Sequence, residues 1–163
     1  MKVISIWNPW ATLVVKGFKI IETRSWQAPK SLIGQRIGIA STKQIRPDQR
    51  IEITNEEFTK HYAATELPIM PSGYADLARF SNGYILGTAE LISSDVLTEE
   101  DIEDITDEEK AFGWYAPGRY AWRLRDAVEF INPVSARGSQ GIWEWFGEDE
   151  KGYLRLVGNM EKH

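Results

Sequence analysis

The apolar and β-branched residues at the start of the chain occur in short runs that are separated by glycine, proline and polar residues. Residues 3–7 (VISIW) predict a strand. Asn8 is a typical helix N-cap and Pro9 a typical first helical residue, so a short helix should follow. Gly17 is suited to end that helix because glycine tolerates the left-handed C′ conformation. The chain is therefore predicted to open with a strand, a short helix and a sharp change of direction.

The next run, from Lys19 to Trp26 (KIIETRSW), predicts a strand because it is rich in β-branched residues and is bounded by glycine and proline. Side chains along a strand alternate between its two faces. One face would then carry Ile20, Glu22, Arg24 and Trp26, and the other would carry Lys19, Ile21, Thr23 and Ser25.

The same patterns predict the remaining elements. A strand is expected at 35–42, a polar helix from Pro47 to about Glu66, a loop with one helical turn at 67–82, a buried strand at 83–94, an acidic helix capped by Thr98, strands at 119–125 and 127–132, a turn at Pro133, and a strand at 142–145. Several strands interrupted by a few short helices favour an α+β fold, a small barrel flanked by helices, over a doubly wound sheet.

Composition narrows the possible chemistry. The chain has no cysteine and only two histidines, which excludes disulfides, thiolate metal sites and a cysteine nucleophile, and argues against a histidine-ligated metal. We therefore expect no metal and no cofactor. No stretch approaches the ~20 apolar residues that span a bilayer, and the N-terminus lacks the features of a signal peptide. A cytoplasmic protein without membrane contact is expected.

The net charge of −5 is unevenly distributed. Residues 95–110 contain nine acidic residues and one lysine, a local charge of −8, so the remainder of the chain carries +3. Residues 1–60 alone carry ten basic and five acidic residues. The acidic segment is typical of a solvated helix face, although it can also serve a protein partner. A mildly basic surface elsewhere is compatible with nucleic acid.

The segment from Ser5 to Trp26 resembles the opening of ASCH domains (activating signal cointegrator 1 homology), which belong to the PUA-like superfamily. The signature of that family is Gly-x-Lys-x-x-Glu-x-Arg. It is filled here by Gly17, Lys19, Glu22 and Arg24, and the resemblance extends to Asn8-Pro9-Trp10-Ala11, residues 39–43, the strand GYILGTAELI and residues 138–143.

This resemblance implies a PUA-like mixed or antiparallel β-barrel, flanked by several short α-helices, with a cleft lined by the motif. We expect the ASCH domain to span residues 1–147 and an extension to follow at 148–163, where the residue pattern predicts an added strand at GYLRLV before a disordered tail. Members of the family are linked to RNA or DNA binding, and some to hydrolysis. Amidohydrolases of acetylated cytidine among them have threonine where this chain has Glu22, so only the role of Lys19 carries over. The family arrangement places Lys19 in the cleft, whereas strict alternation places it on the face opposite Glu22. A bulge just after Gly17 would reconcile the two.

The motif side chains suit a nucleotide. Arg24 offers a planar fork of donors for a phosphate or a base edge, and Lys19 offers a mobile positive charge. Glu22 can accept from a cytosine amino group, orient Arg24 or act as a general base. The alternative is an ion pair between Glu22 and Arg24 that only holds the strand in place. If the protein is an enzyme, the candidate catalytic residues are Lys19, Glu22 and Arg24.

Further candidates for binding nucleic acid come from aromatic, small and basic residues near the presumed cleft. The full set is Trp10, Lys19, Arg24, Trp26, Ser41, Thr42, Lys43, Arg119, Tyr120, Arg137 and Gln140. Among the other tryptophans, Trp114 is open to a stacking role, whereas Trp7, Trp122, Trp143 and Trp145 are assigned to packing.

Three functions remain open from the sequence. The first is binding of RNA or single-stranded nucleic acid, or of a nucleotide-like small ligand, in a motif-lined cleft. The second is a small hydrolase, either a metal-independent ribonuclease or an amidohydrolase of a modified nucleoside, with Lys19 as nucleophile or electrostatic stabiliser and Glu22 as base. The third is a protein-interaction module that uses residues 95–110.

Overall fold

Six strands form one mixed sheet in the computed structural model, which describes residues 1–146. In chain order they are β1 (Lys2–Ile6), β2 (Ile21–Arg24), β3 (Arg36–Ser41), β4 (Tyr84–Val96), β5 (Tyr120–Ser135) and β6 (Ile142–Glu144). Their order across the sheet is β2-β5-β4-β3-β1-β6. The β1–β3 pair is parallel and the other pairs are antiparallel. The predicted α+β class is confirmed, with the sheet curled into a half-barrel.

Within residues 1–146, five short helices flank the sheet. They are α1 (Trp10–Val15), α2 (Pro47–Glu52), α3 (Glu56–Tyr62), α4 (Glu99–Glu103) and α5 (Asp107–Ala111), with single 3₁₀ turns at Lys30–Leu32, Ala63–Thr65 and Leu77–Arg79. The last of these is the helical turn expected within the 67–82 loop. No helix within residues 1–146 is long and apolar enough to cross a membrane. The extension predicted at 148–163 lies outside the described residues.

Two helices predicted as continuous are each divided by a new cap. The polar helix from Pro47 to Glu66 is interrupted because the Asn55 side chain accepts hydrogen bonds from the backbone of Glu57 and Phe58 and so starts α3. The acidic helix that Thr98 caps ends after one turn, and the Thr106 side chain then caps α5. An Asn or Thr within a predicted helix can start a new helix when its side chain accepts hydrogen bonds from nearby backbone N–H groups.

The two predicted strands at 119–125 and 127–132 are one bulged strand, β5. Asp126 has a positive φ of 51° and the register with β4 shifts at three places, so the chain continues through the irregularity instead of turning. Pro133 lies in β5, between the pairs Ile85–Val134 and Gly87–Glu129, where the ladder is already irregular and a missing N–H is tolerated. The predicted turn at Pro133 is therefore wrong.

Gly87 allows the close approach of β4 to β5. A Cβ at this position would lie 2.1 Å from the Val128 carbonyl oxygen, so no larger residue fits without moving the backbone. Bulges of this kind increase the local twist of a sheet. The β4–β5 pair has three such shifts of register along its length.

The start of the chain folds largely as predicted. Asn8 is buried, and its Oδ1 accepts from the backbone N–H and the hydroxyl of Thr12, although the helix itself begins at Trp10 after Pro9. Gly17 has the expected left-handed conformation, with φ of 83°. Helix α1 packs its buried face, which includes Leu13 and Val14, against the sheet.

Strand β2 is shorter than predicted. The backbone N–H groups of Phe18 and Lys19 both donate to the Leu13 carbonyl at the end of α1 (2.9 and 3.1 Å), and Ile20 donates to the Glu109 side chain. Phe18 and Lys19 therefore lie outside the sheet, Ile20 contributes only its carbonyl, which accepts from the Leu124 N–H (2.8 Å), and the paired residues begin at Ile21. The predicted alternation nevertheless holds: Lys19, Ile21 and Thr23 are buried, whereas Glu22 and Arg24 are partly exposed.

Candidate functional site

Two neighbouring clefts open on either side of the Arg24 end of β2. The first, here called the basic cleft, has a volume of about 1100 Å³ and lies where the carboxyl ends of the parallel strands β1 and β3 meet the loop before β6. Within residues 1–146, its lining includes the four cations Arg24, Lys43, Arg46 and Arg137 and no acidic side chain. A concave surface lined by charges of one sign concentrates ligands of the opposite sign.

The loop at 136–141 forms one wall of the basic cleft. Ser5 on β1 fixes this loop, because its hydroxyl donates to the Ser139 carbonyl (2.9 Å) and accepts from the Trp143 indole N–H (2.8 Å). Gly138 packs against that indole so closely that a Cβ would lie 2.8 Å from the ring. Arg137 and Gln140, both predicted from the sequence, line the cleft on this wall.

The end of β3 forms the opposite wall. Ser41 is fully engaged, since its hydroxyl donates to the Ser81 carbonyl (2.5 Å) and accepts from the backbone N–H groups of Gly83 and Tyr84. The next hydroxyl, Thr42 Oγ1, is buried at the cleft wall and has no hydrogen-bond partner among residues 1–146. Buried polar groups normally have a partner. Thr42 thus retains unused hydrogen-bonding capacity beside the cleft, in contrast to Ser41, and Lys43 follows it in the lining.

Arg24 lies between the two clefts and lines both. Its Nη2 donates to the Ser5 carbonyl (2.9 Å) and contacts Glu22 Oε2 at 3.4 Å, while its Nε has no partner within the described part of the chain. The guanidinium also lies over the Trp122 ring, 5.9 Å from the centroid. The ion pair with Glu22, the structural alternative considered from the sequence, is thus present, yet it leaves one donor of Arg24 without a partner.

Trp26 offers an aromatic surface to the basic cleft. Its side chain is 39% exposed, and its carbonyl accepts from the Trp122 indole N–H (3.1 Å). The two rings meet edge to face, with centroids 4.9 Å apart. This contact fixes the position of the Trp26 ring and leaves part of it accessible to a ligand.

The second cleft, here called the mixed-charge cleft, has a volume of about 1080 Å³ and lies between β2, the helices α2 and α3, and the region around α5. Among the described residues, its charged lining side chains are balanced four against four. The cations are Lys19, Arg24, Lys110 and Arg119, and the carboxylates are Glu22, Glu52, Glu57 and Asp107. The cleft therefore has no net charge to attract a phosphate backbone.

Lys19 is buried at the edge of the mixed-charge cleft, with its side chain only 2% exposed. Its Nζ lies 3.3 Å from Glu109 Oε2 and 3.0 Å from the Tyr115 hydroxyl. Tyr115 in turn donates a short hydrogen bond to Glu109, whose other oxygen accepts from the Ile20 N–H (2.6 Å). Burial, together with the negative charge of Glu109, raises the pKa of Tyr115 far above its usual value.

This network gives the acidic segment a structural role. Glu109 is the buried acidic residue of the 95–110 segment, and it neutralises the motif lysine, which lies 90 residues earlier in the chain. An ammonium held between a carboxylate and a phenol is not free to contact a ligand or to attack a carbonyl. Lys19 and Arg24 therefore both line the mixed-charge cleft, but only Arg24 also lines the basic cleft.

Trp114 and Arg119 form a stacked pair in the mixed-charge cleft. The Arg119 guanidinium lies 4.2 Å from the centroid of the Trp114 ring, and the indole is 67% exposed. Both residues are tied to β2, because Arg119 donates to the Thr23 carbonyl (3.1 Å) and the Thr23 hydroxyl donates to the Trp114 carbonyl (2.9 Å).

The remaining predicted aromatics divide between core and cleft. Trp10 is buried against Phe58, with centroids 5.7 Å apart, and reaches the mixed-charge cleft with little exposed surface. Tyr120 is half-buried against the core and lines neither cleft. Trp122 and Trp145 are buried as expected, whereas Trp7 and Trp143, assigned to packing, are only half-buried and also line the basic cleft.

Sequence reasoning missed Arg46 and the partners of Lys19. Arg46 lies three residues after Lys43, between β3 and α2. Its proximity in sequence to the predicted phosphate-binding residues could have identified it as a lining residue of the basic cleft. Glu109 and Tyr115 carried no such signal, because they reach Lys19 only through the fold. Within residues 1–146, no group of three His, Asp or Glu side chains could hold a metal ion.

Comparisons with known proteins agree with this architecture. The family model of the ASCH domain matches residues 4–134. The crystal structure of ASCH from Zymomonas mobilis aligns with a TM-score of 0.54 at 16% identity, covering 96% of this chain and 93% of that chain. A serine-to-alanine mutant of the Zymomonas mobilis protein aligns with a TM-score of 0.51, again at 16% identity, covering 96% and 94%. No curated protein shows significant similarity to this chain.

The structural likeness supports the PUA-like fold, and the family model identifies the domain from its sequence. The matched range includes the complete Gly-x-Lys-x-x-Glu-x-Arg motif, and both the predicted fold and the predicted family are confirmed. This protein belongs to the ASCH domain family.

Proposed function

We propose that the basic cleft binds the phosphate backbone of single-stranded nucleic acid, with RNA as the first candidate. The observation that carries this proposal is the set of four cations, unopposed by any acidic lining residue in the described chain, beside the accessible ring of Trp26. Positive grooves with adjacent aromatic side chains are the usual means by which proteins bind single strands. The backbone follows the cations and an unpaired base stacks on the tryptophan.

The overall charge of −5 is compatible with this function because the acidic residues are concentrated elsewhere. The 95–110 segment contributes no residue to the basic cleft, and its one buried carboxylate, Glu109, is engaged with Lys19. Binding depends on the local potential within the cleft rather than on the net charge of the chain.

The proposal is tested by fluorescence anisotropy with a labelled single strand of ~12 nucleotides, within the site sizes known for such grooves. We expect affinity at low salt that falls as salt increases. A plot of log K against log[salt] should have a slope of up to about −3 if all four cations contact phosphates, since each contact adds roughly −0.7 for a single strand.

A charge-reversal pair provides the control. The double variant Lys43→Glu/Arg137→Glu should abolish measurable binding and flatten the salt dependence. Lys30→Glu places one reversed charge on an exposed residue that lines neither cleft and should bind as the wild type does. An absence of wild-type binding at low salt would refute the proposal. Equal oligonucleotide affinities for the double variant and for Lys30→Glu would also refute it.

A further inference from the structure

The stacked pair of Trp114 and Arg119 exposes an aromatic face that the fold itself does not use. With one face of the indole under the Arg119 guanidinium and 67% of the side chain exposed, the opposite face is available to a flat ligand. Hydrogen bonds from Arg119 and Thr23 hold the pair in position. An aromatic ring backed by a cation is a favourable platform for a nucleobase.

The charge balance of the mixed-charge cleft indicates which part of a nucleotide belongs there. Its four cations face four carboxylates, and two of these cations, Lys19 and Arg24, already contact Glu109 and Glu22. Such a surface does not favour a phosphate. A neutral base, which carries both donors and acceptors on its edges, is compatible with it.

The two clefts adjoin each other at Arg24. They share the lining residues Ser5, Trp7 and Arg24, so a chain that follows the cations of the basic cleft reaches the mixed-charge cleft at Arg24. Thr23, the neighbour of Arg24 in β2, is the residue to which both Trp114 and Arg119 are bonded. The platform thus stands next to the end of the backbone path.

We infer that Trp114 and Arg119 form a second binding site, which stacks one unpaired base of the strand whose backbone lies in the basic cleft. The inference rests on the proposed function and extends it. The ligand is then a polynucleotide long enough to cross Arg24, rather than a free nucleotide confined to one cleft. Arg24 lies at the crossing point, where its partly exposed side chain lines both clefts and can contact the phosphate that links them.

The test uses the full chain and two labelled oligodeoxynucleotides of equal length, one a thymidine homopolymer and the other wholly abasic, so that both have the same phosphates and only the first has bases. Trp114→Ala should weaken binding of the homopolymer about tenfold, within the range measured for base–aromatic stacking, and leave binding of the abasic strand unchanged. Trp114→Phe should restore most of the loss, because phenylalanine retains an aromatic face.

Controls separate this inference from the proposed function. Tyr74→Ala removes a partly exposed aromatic that lines neither cleft and should not change either affinity. Homopolymer binding that Trp114→Ala leaves unchanged, or a loss equal for both strands, would overturn the second site. If that happens while Lys43→Glu/Arg137→Glu still abolishes binding, the proposed function survives. If the wild type binds neither strand, the proposed function fails first.

Discussion

Lys19 and Arg24 lie five positions apart in one eight-residue motif and have contrasting environments. Lys19 is 2% exposed and pairs with a buried carboxylate on a helix distant in sequence, whereas the Arg24 side chain is 19% exposed and retains an unpartnered Nε within the described structure. The charge of Lys19 is paired inside the protein. The hydrogen-bonding groups of Arg24 are only partly paired, at a surface where two clefts meet.

The contrast teaches that cations of a single motif can serve different purposes. Lys19 attaches α5 and the following loop to β2, and this attachment positions Tyr115 and the Trp114 platform. Arg24 is held by the Ser5 carbonyl but remains directed toward the clefts. We therefore propose that Lys19 serves stability and that Arg24 serves ligand binding, and the following substitutions test that division.

The largest effect is expected from Glu109→Ala. The change leaves the Lys19 ammonium buried without a counter-charge and removes the acceptor of the Ile20 N–H. Breaking a buried ion pair from one side costs about 3–5 kcal/mol of unfolding free energy. Urea denaturation followed by circular dichroism measures the loss. Glu108→Ala, at the exposed neighbouring position, should change stability by no more than about 0.5 kcal/mol. Equal unfolding free energies for the two variants would show that the buried ion pair does not contribute to stability.

The fold was predictable where local chemistry determines it. Gly17 ends α1 because its conformation requires glycine, and the alternation from Lys19 to Thr23 follows from strand geometry, so both were apparent from the sequence. The continuation of β5 past Asp126 was not, because an acidic residue beside a β-rich run signals a turn equally well. Only pairing with β4 resolves that ambiguity.

The candidate site was only partly predictable, for a related reason. Arg24, Lys43 and Arg137 stand out as cations near strand ends and glycines, and the structure brings them to one cleft. The burial of Lys19 could not be foreseen, since its partner Glu109 belongs to a segment whose composition is typical of a solvated helix. Burial of a charged residue depends on a specific partner, and the sequence pattern does not identify partners across the fold.

The double variant Lys19→Met/Glu109→Leu sharpens the same comparison. Replacing both members of a buried ion pair with apolar groups is often tolerated, so we expect it to recover at least about 2 kcal/mol relative to Glu109→Ala. The Tyr115 hydroxyl keeps the Ile21 carbonyl as an acceptor (3.3 Å). Affinity for the oligonucleotide should remain within about twofold of the wild-type value, which corresponds to less than ~0.5 kcal/mol.

This variant also tests the hydrolase alternative, which requires Lys19 as nucleophile or stabiliser. Wild type and double variant are incubated with RNA and with acylated cytidine, and the products are separated by chromatography. Equal turnover in both would agree with a structural Lys19. Cleavage by the wild type alone would show that Lys19 takes part in hydrolysis. A tenfold loss of oligonucleotide affinity in a folded double variant would show that Lys19 takes part in binding. Either result would contradict the purely structural role of Lys19.

A smaller effect is expected from Arg24→Met, which keeps an apolar stem of similar length against Trp122 and removes the charge. A hydrogen bond to a charged group is worth about 1.5–3 kcal/mol, so affinity should fall by at least about tenfold. Arg125→Met, which removes a cation paired with Glu90 at the surface and outside both clefts, is the matched control. Equal affinities for the two variants would contradict the assignment of Arg24 to binding.

The smallest effect, and the most specific, is expected from Thr42→Val. The Thr42 hydroxyl is buried at the wall of the basic cleft without a partner in the described structure, so replacing it with a methyl of similar shape should raise the unfolding free energy, by up to about 1 kcal/mol. If that hydroxyl hydrogen-bonds a phosphate, the same change should weaken oligonucleotide binding by a few-fold.

Ser41→Ala is the matched control. The Ser41 hydroxyl is fully hydrogen-bonded within the protein, so its removal should lower the unfolding free energy. Opposite signs in the two stability measurements, with an affinity loss for Thr42→Val, would distinguish a hydroxyl reserved for a ligand from one that holds the strand end in place. A Thr42→Val variant that is less stable and binds normally would remove Thr42 from the site.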